Sequence, residues 1–309
     1  MACRGRALGG AGGHRGGRGG RRAGRGRVRG ATVFTHRRVE QVAPALAALR
    51  TAARDEGVEL RFDERETAKH AIVSAPGVVA DAEVANDVEL CLVLGGDGTI
   101  LRALRRYAGT GVPVFAVNFG EVGFLATVEP DELGDDGFHR ALRRDFEVLS
   151  LPALSVEAGG GIHAAINDVS IHRKVGERVA HLAYGLDGAE VGRVRCDGLV
   201  VATPAGSTGY NLANGGPVLA WGVEGFAVSF IAPHSLAARA LVVAPDDPLT
   251  IDNRSREAVD VTVDGVAAGE LGPGESLTTR FLRDAGALAQ EPGSSFYKRL
   301  RDKFGKLAA

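Results

Sequence analysis

The sequence predicts an α/β domain with a Rossmann-like parallel sheet, followed by an all-β domain of the β-sandwich type and a closing C-terminal helix. Up to about residue 144, strand-like runs alternate with helix-like runs, which is the pattern of a parallel sheet with crossover helices. Beyond that residue, helical periodicity fades, and short strand-like runs follow one another, separated by Gly, Asp and Asn. The length of 309 residues suits two domains of ordinary size.

Four strand-like runs frame the first region. Residues 31–35 are rich in β-branched side chains, residues 58–62 alternate in polarity, and residues 90–94 and 112–117 are continuously apolar, as buried parallel strands are. Between the first two runs, residues 39–56 carry Val, Leu and Ala at helical spacing. Ligands of such sheets collect beyond the carboxyl ends of the strands, so the polar residues that follow the two apolar runs are candidates for a site.

The second region contains a series of strand-like runs and ends in an amphipathic segment. The runs lie at 146–156, 163–172, 179–187, 190–195, 198–203, 226–231, 240–243, 248–251 and 259–263. The final segment, residues 294–304, places its aromatic side chains and Leu300 on one side of a helix. We therefore divide the chain into a tail (1–30), an α/β domain (31–144), a β-rich domain (145–283), and a C-terminal tail and helix (284–309) that packs back on the α/β domain.

Residues 1–30 differ from the rest of the chain in composition, with nine Arg, twelve Gly and no acidic residue. Such a segment cannot bury a core and is expected to be disordered. Binding of RNA or DNA by a flexible Arg/Gly segment is the less favoured alternative. Whether these residues belong to the mature protein or precede the true start is left open. Without them the net charge is about −10, so nothing in the rest of the chain indicates a nucleic-acid-binding surface.

Several classes of function are disfavoured by what the sequence lacks. No apolar run approaches the roughly 18–20 residues of a membrane span, and the Arg-rich start does not resemble a secretory signal. The three cysteines, Cys3, Cys91 and Cys196, are too scattered for a metal site or a disulfide framework, which fits a reducing cytoplasm. Neither a P-loop nor a Gly-x-Gly-x-x-Gly turn after a strand is found, so phosphate binding would need another motif.

Residues 95–99, Gly-Gly-Asp-Gly-Thr, join the strand at 90–94 to a helix-like pattern that begins at Ile100. The glycines allow the backbone to approach a ligand closely, and the helix start offers free N–H groups to phosphate. Asp97 would repel phosphate unless it accepts a proton from an attacking hydroxyl or holds a metal. On these residues alone, a βα turn with a helix-capping Asp is also an open interpretation.

Three later stretches carry polar residues where a strand or a turn does not need them. Asn167 and Asp168 lie inside a strand-like run, where a bound ligand or a β-bulge would explain them. Residues 203–211 form a turn rich in Gly and hydroxyl groups, which suits a loop around a polar ligand, with Tyr210 placed to cover a base. His234 fits a structural turn better than a catalytic role.

These motifs occur in the order found in the NAD kinases, which the chain resembles from about residue 31 to its end. The Gly-Gly-Asp-Gly-Thr turn alone is weak evidence for this family, because lipid kinases and phosphofructokinases have a similar turn. More specific are Asn167-Asp168, Asp197-Gly198, the run Thr-Pro-Ala-Gly-Ser-Thr-Gly-Tyr at 203–210, and Ala-Pro-His-Ser-Leu at 232–236. Together they make the resemblance specific and imply an NAD kinase-like fold.

The resemblance implies transfer of the γ-phosphate of ATP to the 2′-hydroxyl of the adenosine ribose of NAD, with Mg²⁺ or another divalent cation accompanying ATP. Asp97 matches the family's proton acceptor, and no residue is expected to be a metal ligand. Residues that match substrate-binding positions are Gly98, Arg102, Asn167, Asp168, His181, Arg195, Asp197, Thr208, Gly209, Tyr210, Asn211, Leu212 and Ala213. The chain departs from the family at Val266, where Gln is common, and at Asp168, where Glu is common.

Two other functions would use some of the same motifs. A lipid kinase shares the glycine turn but has no use for the loop at 203–210, and a non-catalytic dinucleotide sensor gains nothing from Asp97 beside phosphate. The resemblance also implies a homodimer or homotetramer without a membrane partner. The sequence leaves open whether polyphosphate replaces ATP, whether NADH replaces NAD, which oligomer forms, and whether the product regulates activity.

Overall fold

The computed structural model describes residues 21–22 and 28–305. The helices are α1 (Val39–Glu56), α2 (Glu64–His70), α3 (Asp97–Arg106), α4 (Gly137–Leu142), α5 (Tyr210–Ala213) and α6 (Phe296–Phe304), with a 3₁₀ turn at Gly206–Thr208. The strands are β1 (Arg21–Arg22), β2 (Gly30–Thr35), β3 (Glu59–Arg61), β4 (Val78–Val79), β5 (Leu90–Gly95), β6 (Val114–Asn118), β7 (Glu147–Ala158), β8 (Gly161–Ala165), β9 (Asp168–Arg173), β10 (Ala180–Leu186), β11 (Ala189–Cys196), β12 (Gly198–Ala202), β13 (Phe226–Ile231), β14 (Leu241–Val243), β15 (Leu249–Asn253), β16 (Val259–Val263), β17 (Val266–Leu271) and β18 (Ser276–Gln290).

The predictions for residues 1–30, disorder and the alternative of nucleic-acid binding, fall almost wholly outside the described residues. Within that segment, β1 pairs antiparallel with β7 through Arg21 and Val148. Residues 28 and 29 lead into β2, with Val28 buried.

Five strands of the first region form the predicted parallel sheet, in the order β6-β5-β2-β3-β4. Strands β2, β5 and β6 are buried along their whole length, as expected for strands covered on both faces. Helix α1 buries Val42, Leu46 and Leu49 in the core on one of these faces. It ends at Gly57, whose φ of +65° is the left-handed cap that glycine adopts without strain. The α/β prediction is confirmed.

The second region has the predicted sandwich form. One layer is a six-stranded antiparallel sheet in the order β14-β13-β12-β9-β16-β17. The other layer consists of β7, β8, β10, β11, β15 and the first part of β18, and it continues the sheet of the first region. Buried side chains fill the space between the layers, among them Ile171 and Phe226 from one layer and Leu154, Ile251 and Phe281 from the other.

Strand β18 joins the two regions, and the sequence pattern does not predict it. It pairs antiparallel with β15 and β7 and, at Leu288, parallel with Val114 of β6. The pairing with β7 is interrupted between Leu282 and Gly286, where Asp284 has a φ of +54°. This bulge breaks the alternation by which a strand is recognised. The predicted boundary between residues 283 and 284 falls within β18, which continues through it without ending.

A third core lies at the junction of the two regions. It contains Ile100 of α3, Leu288 of β18 and Ile166 of the second region. Helix α6, which corresponds to the predicted helix at 294–304, adds Phe296 to the same core. None of the described helices is both long and apolar enough to span a bilayer.

Replacement of Phe226 by Ala is expected to lower the free energy of unfolding by about 3–5 kcal/mol. The side chain has no exposed area and stacks on Phe281 with the ring centroids 6.4 Å apart, so truncation leaves a cavity between the layers. Urea denaturation followed by circular dichroism measures the change. Ile162→Ala is the control: this side chain is 81% exposed, so its change should stay within about 0.5 kcal/mol. Equally small changes for both variants would contradict the packing of Phe226.

Candidate active site

Asp97 is the first residue of α3 and follows β5 after a single residue, Gly96. Its side chain is half-buried, and both carboxylate oxygens accept hydrogen bonds from another loop. Phe124 N donates to Oδ2 at 3.1 Å, and Leu125 N donates to Oδ1 at 2.8 Å. Bonds to both oxygens fix the orientation of the carboxylate. Because Gly96 is the N-cap of α3 and Asp97 is already its first helical residue, the helix-cap interpretation of this turn is wrong.

The glycine turn before α3 touches the loop that follows β6. A Cβ on Gly96 would lie 2.9 Å from Gly120 Cα, and a Cβ on Gly120 would lie 2.7 Å from Gly96 Cα, so the close approach needs glycine at both positions. Asn118, the last residue of β6, accepts a hydrogen bond from Gly120 N at 2.9 Å and holds this loop. No atom lies within 4 Å of a Cβ built on Gly98, so this side of the turn is open to a ligand.

Arg102, on the second turn of α3, is held by Glu66 of α2. Its guanidinium donates to Glu66 at 2.8 Å and lies over the Phe34 ring, 4.7 Å from the centroid. Glu66 has no exposed side-chain area and also accepts from Thr35 (2.6 Å) and Lys69 (2.7 Å). Burial acts to raise the pKa of Glu66, but these donors outweigh it and the net pKa is lowered. The sequence gives no signal for this network, because it depends on contacts between distant elements.

Asp264 organises the Asn167–Asp168 pair. Its side chain has no exposed area and accepts three consecutive backbone N–H groups, those of Ile166 (3.0 Å), Asn167 (2.7 Å) and Asp168 (3.1 Å). The strand-like run predicted at 163–172 is therefore two strands, β8 and β9, because this segment bonds to a side chain instead of a neighbouring strand. The motif alone does not reveal Asp264 as part of the site.

Asp168 is only 8% exposed and faces a second carboxylate, that of Asp264. Burial and then the charge of Asp264 raise the pKa of Asp168 to about 7. Burial also raises the pKa of Asp264, against the lowering effect of its three N–H donors and of Arg105, whose Nε lies 4.0 Å from Asp264 Oδ2. Near neutral pH, Asp168 can therefore present a protonated carboxyl that donates a hydrogen bond to a ligand.

The predicted ligand loop packs directly on Asn167. Thr203 donates its hydroxyl to Ile166 O at 2.6 Å and its N–H to Asn167 O at 2.9 Å. A Cβ on Gly206 would lie 2.1 Å from Asn167 O, so this glycine is needed for the close approach of the two backbones. The structure thus brings together the Asn167–Asp168 pair and the loop.

Several polar groups of this loop are occupied within the protein. The sequence predicts hydroxyls that face a ligand, and for Ser207 that prediction is wrong. Its side chain is buried, and the hydroxyl donates to Pro204 O at 2.7 Å and accepts from Leu219 N at 2.9 Å. Asn211 is also buried and donates to Ser207 O and Pro217 O, both at 3.0 Å. These bonds give the loop a fixed shape before a ligand arrives.

Tyr210, at the start of α5, stacks on His172 with the ring centroids 5.7 Å apart. Burial and then the charge of Asp168 raise the pKa of Tyr210, so the phenol lies within electrostatic range of that carboxyl. His172 Nε2 lies 2.9 Å from Ser170 Oγ, and burial lowers the pKa of His172. The other predicted loop residues that retain accessible surface are Thr208, Gly209, Leu212 and Ala213.

His181 and Arg195 are direct partners across strands β10 and β11, and both are exposed. With two further arginines they line a groove of about 200 Å³ at this edge of the sheet. Asp197 lies nearby in the chain, and Arg173 Nε donates to its Oδ1 at 2.6 Å. This hydrogen bond lowers the pKa of Asp197.

The predicted site residues thus form three groups: the start of α3, the Asn167–Asp168 pair with its loop, and the groove at His181. Helix α3 links the first two, because it begins at Asp97 and carries Arg105 beside Asp264. Within the described ranges, no hydrogen bond or ion pair joins the groove to Asp97. No three His, Cys, Asp or Glu side chains among the described residues are placed to share a metal ion. The binding roles of all three groups stay predictions.

Comparisons with known proteins identify the family. The family model described as the ATP-NAD kinase N-terminal domain matches residues 31–134, and the ATP-NAD kinase C-terminal domain matches residues 166–281. A protein named NAD kinase from Gemmatimonas aurantiaca is 36% identical over 228 residues, which are 71% of this chain and 78% of that relative. The chain belongs to the NAD kinase family. It is therefore a phosphotransferase, and the resemblance seen in the motifs is confirmed.

Two solved structures share the fold of this NAD kinase family member. Yeast NADH kinase complexed with NADH has a TM-score of 0.81 and 20% identity, and the match covers 92% of this chain and 89% of that chain. An NAD kinase from Archaeoglobus fulgidus in complex with ATP has a TM-score of 0.69 and 25% identity, with 90% and 98% covered. The family matches span both regions and so leave the lipid-kinase alternative without support.

The raised pKa of Asp168 predicts that stability falls as pH rises. In the unfolded chain this carboxyl ionises near pH 4, whereas in the folded protein its pKa is about 7. Between these values the folded state binds more protons, so the free energy of unfolding decreases with pH. Relative to Asp168→Asn, we expect the free energy of unfolding of the wild type to fall by on the order of 2–4 kcal/mol between pH 4.5 and pH 8. Urea unfolding at both pH values measures this, and parallel pH profiles would contradict it.

Ser207→Ala is expected to lower the free energy of unfolding by about 1–3 kcal/mol, because the buried Leu219 N–H loses its acceptor. Thermal and urea denaturation measure the effect. The matched control is Ser235→Ala, since Ser235 is exposed and its removal should change stability by less than about 0.5 kcal/mol. If Ser207→Ala leaves stability unchanged but weakens dinucleotide binding, the hydroxyl faces the ligand and not the protein.

Proposed function

We propose that this chain transfers the γ-phosphate of ATP to the 2′-hydroxyl of the adenosine ribose of NAD, giving NADP and ADP, with Asp97 as proton acceptor. Family membership supports the reaction, and the two solved relatives, complexed with NADH and with ATP, support these ligands. The observation that carries the assignment of Asp97 is its carboxylate, held by two backbone N–H groups at a turn whose other side is open.

The geometry of Asp97 suits a general base. Each carboxylate oxygen accepts one N–H group, which leaves further lone pairs to accept a hydroxyl proton. Within the described residues, the hydrogen bonds of this carboxylate come from backbone groups and not from a cation. A general base must lie within hydrogen-bond reach of the proton it takes, and a fixed carboxylate meets this condition better than a mobile one.

The proposed reaction needs one proton transfer and one displacement. The ribose 2′-oxygen forms a bond to the γ-phosphorus while the bond from that phosphorus to the β,γ-bridging oxygen breaks, and ADP leaves with the bond's electron pair. The hydroxyl proton passes to the Asp97 carboxylate. Because a ribose hydroxyl is a very weak acid, the proton moves late, as the new P–O bond forms. Asp97 therefore acts on the acceptor, and the donor phosphates need positive partners elsewhere.

The carboxyl edge of the parallel sheet offers such partners. Helix α3 begins here with free N–H groups and the positive end of its dipole. Arg37 and Arg38 follow β2 at the same edge, are exposed, and have no carboxylate partner among the described residues. We assign Mg²⁺ to the substrate, since this ion is usually bound through the phosphates of the nucleotide together with one or two carboxylates. Its charge would add to the neutralisation of the triphosphate.

We assign the dinucleotide to the groups that the motifs indicate. The Asn167–Asp168 pair and the loop at 203–216 are in contact, and Tyr210 is 38% exposed and can cover a ring of the ligand. The cationic groove at His181 and Arg195 would serve an anionic part of a ligand. We further propose that the protein forms a homodimer or a homotetramer. We place it in the cytoplasm because its scattered cysteines build no disulfide framework.

Asp97→Asn is expected to lower kcat by roughly 10²–10⁴-fold, the usual contribution of a general base, with little change in the KM for NAD. An assay that couples NADP formation to a dehydrogenase measures both constants with ATP as donor. Asp131→Asn, at an exposed position, is the matched control and should retain full activity.

Near-normal turnover of Asp97→Asn would show that another group takes the proton. Calorimetry with NAD, combined with the activity assay, distinguishes the proposed kinase from a non-catalytic dinucleotide sensor. A wild-type protein that binds NAD but forms no NADP with ATP or with polyphosphate would be a dinucleotide sensor, and the proposed function would then be wrong.

A further inference from the structure

One side chain connects the C-terminal helix to the loop that holds Asp97. Arg299 of α6 donates from one terminal nitrogen to Phe124 O at 3.2 Å and to Ala126 O. Phe124 is also one of the two residues whose N–H binds the Asp97 carboxylate. The loop is therefore bound on one side to the proposed base and on the other side to α6.

The guanidinium of Arg299 is itself firmly placed. Its other terminal nitrogen donates to Gln290 Oε1 at 2.7 Å, at the end of β18, and lies 3.4 Å from Ser294 Oγ. Its carbon lies 5.5 Å from the centroid of the Trp221 ring, within the range of a cation–π contact. The planar guanidinium carries several fixed donors and can bridge these partners at once. The compact ammonium group of a lysine cannot do so.

The aromatic side chains around Phe124 strengthen the same connection. The Phe124 ring makes edge-to-face contacts with Trp221 at 5.7 Å and with Phe296 at 6.0 Å, and lies 5.8 Å from the Phe304 ring. Two of these partners, Phe296 and Phe304, are the first and last residues of α6. Apolar packing thus seats the helix on the loop, and Arg299 supplies the polar bond between them.

A second connection runs from α6 to the glycine turn through Glu129 and Asn118. Lys303 of α6 donates to Glu129 at 2.5 Å, and Glu129 accepts from Asn118 Nδ2 at 2.9 Å. Asn118 in turn holds the loop of Gly120, which touches Gly96. Helix α6 therefore holds the loop that follows β6 at two places, at Phe124 and Ala126 and again at Glu129.

We infer that Arg299 is a positioning residue for catalysis: it fixes the loop at 123–126 so that the Asp97 carboxylate points at the acceptor hydroxyl. The inference rests on the proposed function, because it assigns Arg299 an effect that passes through the base. It makes α6 part of the catalytic apparatus through its bonds to that loop. Displacing a catalytic group by about 1 Å can lower a rate by as much as 10²-fold, which sets the size of the expected effect.

Arg299→Ala is expected to lower kcat by roughly 10–100-fold while the KM values for NAD and ATP change less than about threefold. The kcat of Arg299→Lys should lie between those of the wild type and Arg299→Ala, since lysine keeps the charge but cannot bridge the loop and Gln290 together. Arg301→Ala is the matched control: this arginine is on the same helix, is 73% exposed and forms an ion pair with its neighbour Asp302. A loss of substrate affinity at unchanged kcat would overturn the inference. If Arg299→Ala does not fold, Arg299→Lys carries the same comparison.

A double-mutant cycle tests whether Arg299 acts through Asp97. In the Asp97→Asn background, Arg299→Ala should cause little or no further loss of kcat, because the group it positions is already disabled. Losses that multiply would show that Arg299 acts independently and would overturn the inference.

Amide hydrogen exchange gives a readout that does not depend on the proposed reaction. The N–H groups of Phe124 and Leu125 should exchange at least tenfold faster in Arg299→Ala than in the wild type and in Arg301→Ala. Unchanged exchange would overturn the positioning role even if activity falls. Faster exchange together with full activity of Asp97→Asn would instead locate the failure in the proposed base.

Discussion

Strand β18 is the constraint on which the rest of the structure depends, because one strand belongs to both regions. One of its edges pairs first with β15 and later with β6, while β7 follows the other edge. The parallel sheet and the sandwich cannot rotate against each other without breaking these backbone hydrogen bonds. At the bulge, Ala285 O accepts from Gly109 N at 2.7 Å, just beyond α3. The strand therefore also fixes the far end of the helix that begins with Asp97.

Two carboxylates at this junction are held by several backbone N–H groups each. Asp97 accepts two backbone N–H groups and Asp264 accepts three. A hydrogen bond to a charged acceptor contributes about 1.5–3 kcal/mol, so several of them together stabilise each carboxylate substantially. Among the described residues, Asp168 has no comparable set of donors, and burial followed by the charge of Asp264 raises its pKa to about 7. The two buried carboxyls, Asp264 and Asp168, therefore have different roles. Asp264 shapes the backbone, and Asp168 is able to carry the proton.

Local patterns in the sequence located β2, α1, β5, β6 and the turn at Asp97, because apolar runs and helical spacing are local properties. They did not locate β18, whose alternation is broken by the bulge and whose partners are distant in the chain. Glu66 and Asp264 were also missed, since their importance comes from groups that folding brings to them. The family motif marked the loop at 203–210, but it could not show that Ser207 points into the protein.

The way in which Asp97 is held decides which charges remain for the substrates. A lysine or arginine bound directly to this carboxylate would neutralise the proposed base and the cation together. Backbone N–H groups hold it instead, and Arg299 donates to the carbonyl side of the same loop. Arg37 and Arg38 have no carboxylate partner among the described residues, so they stay free to meet a phosphate. A carboxylate base and cations for phosphate can coexist within one site because the polypeptide backbone lies between them.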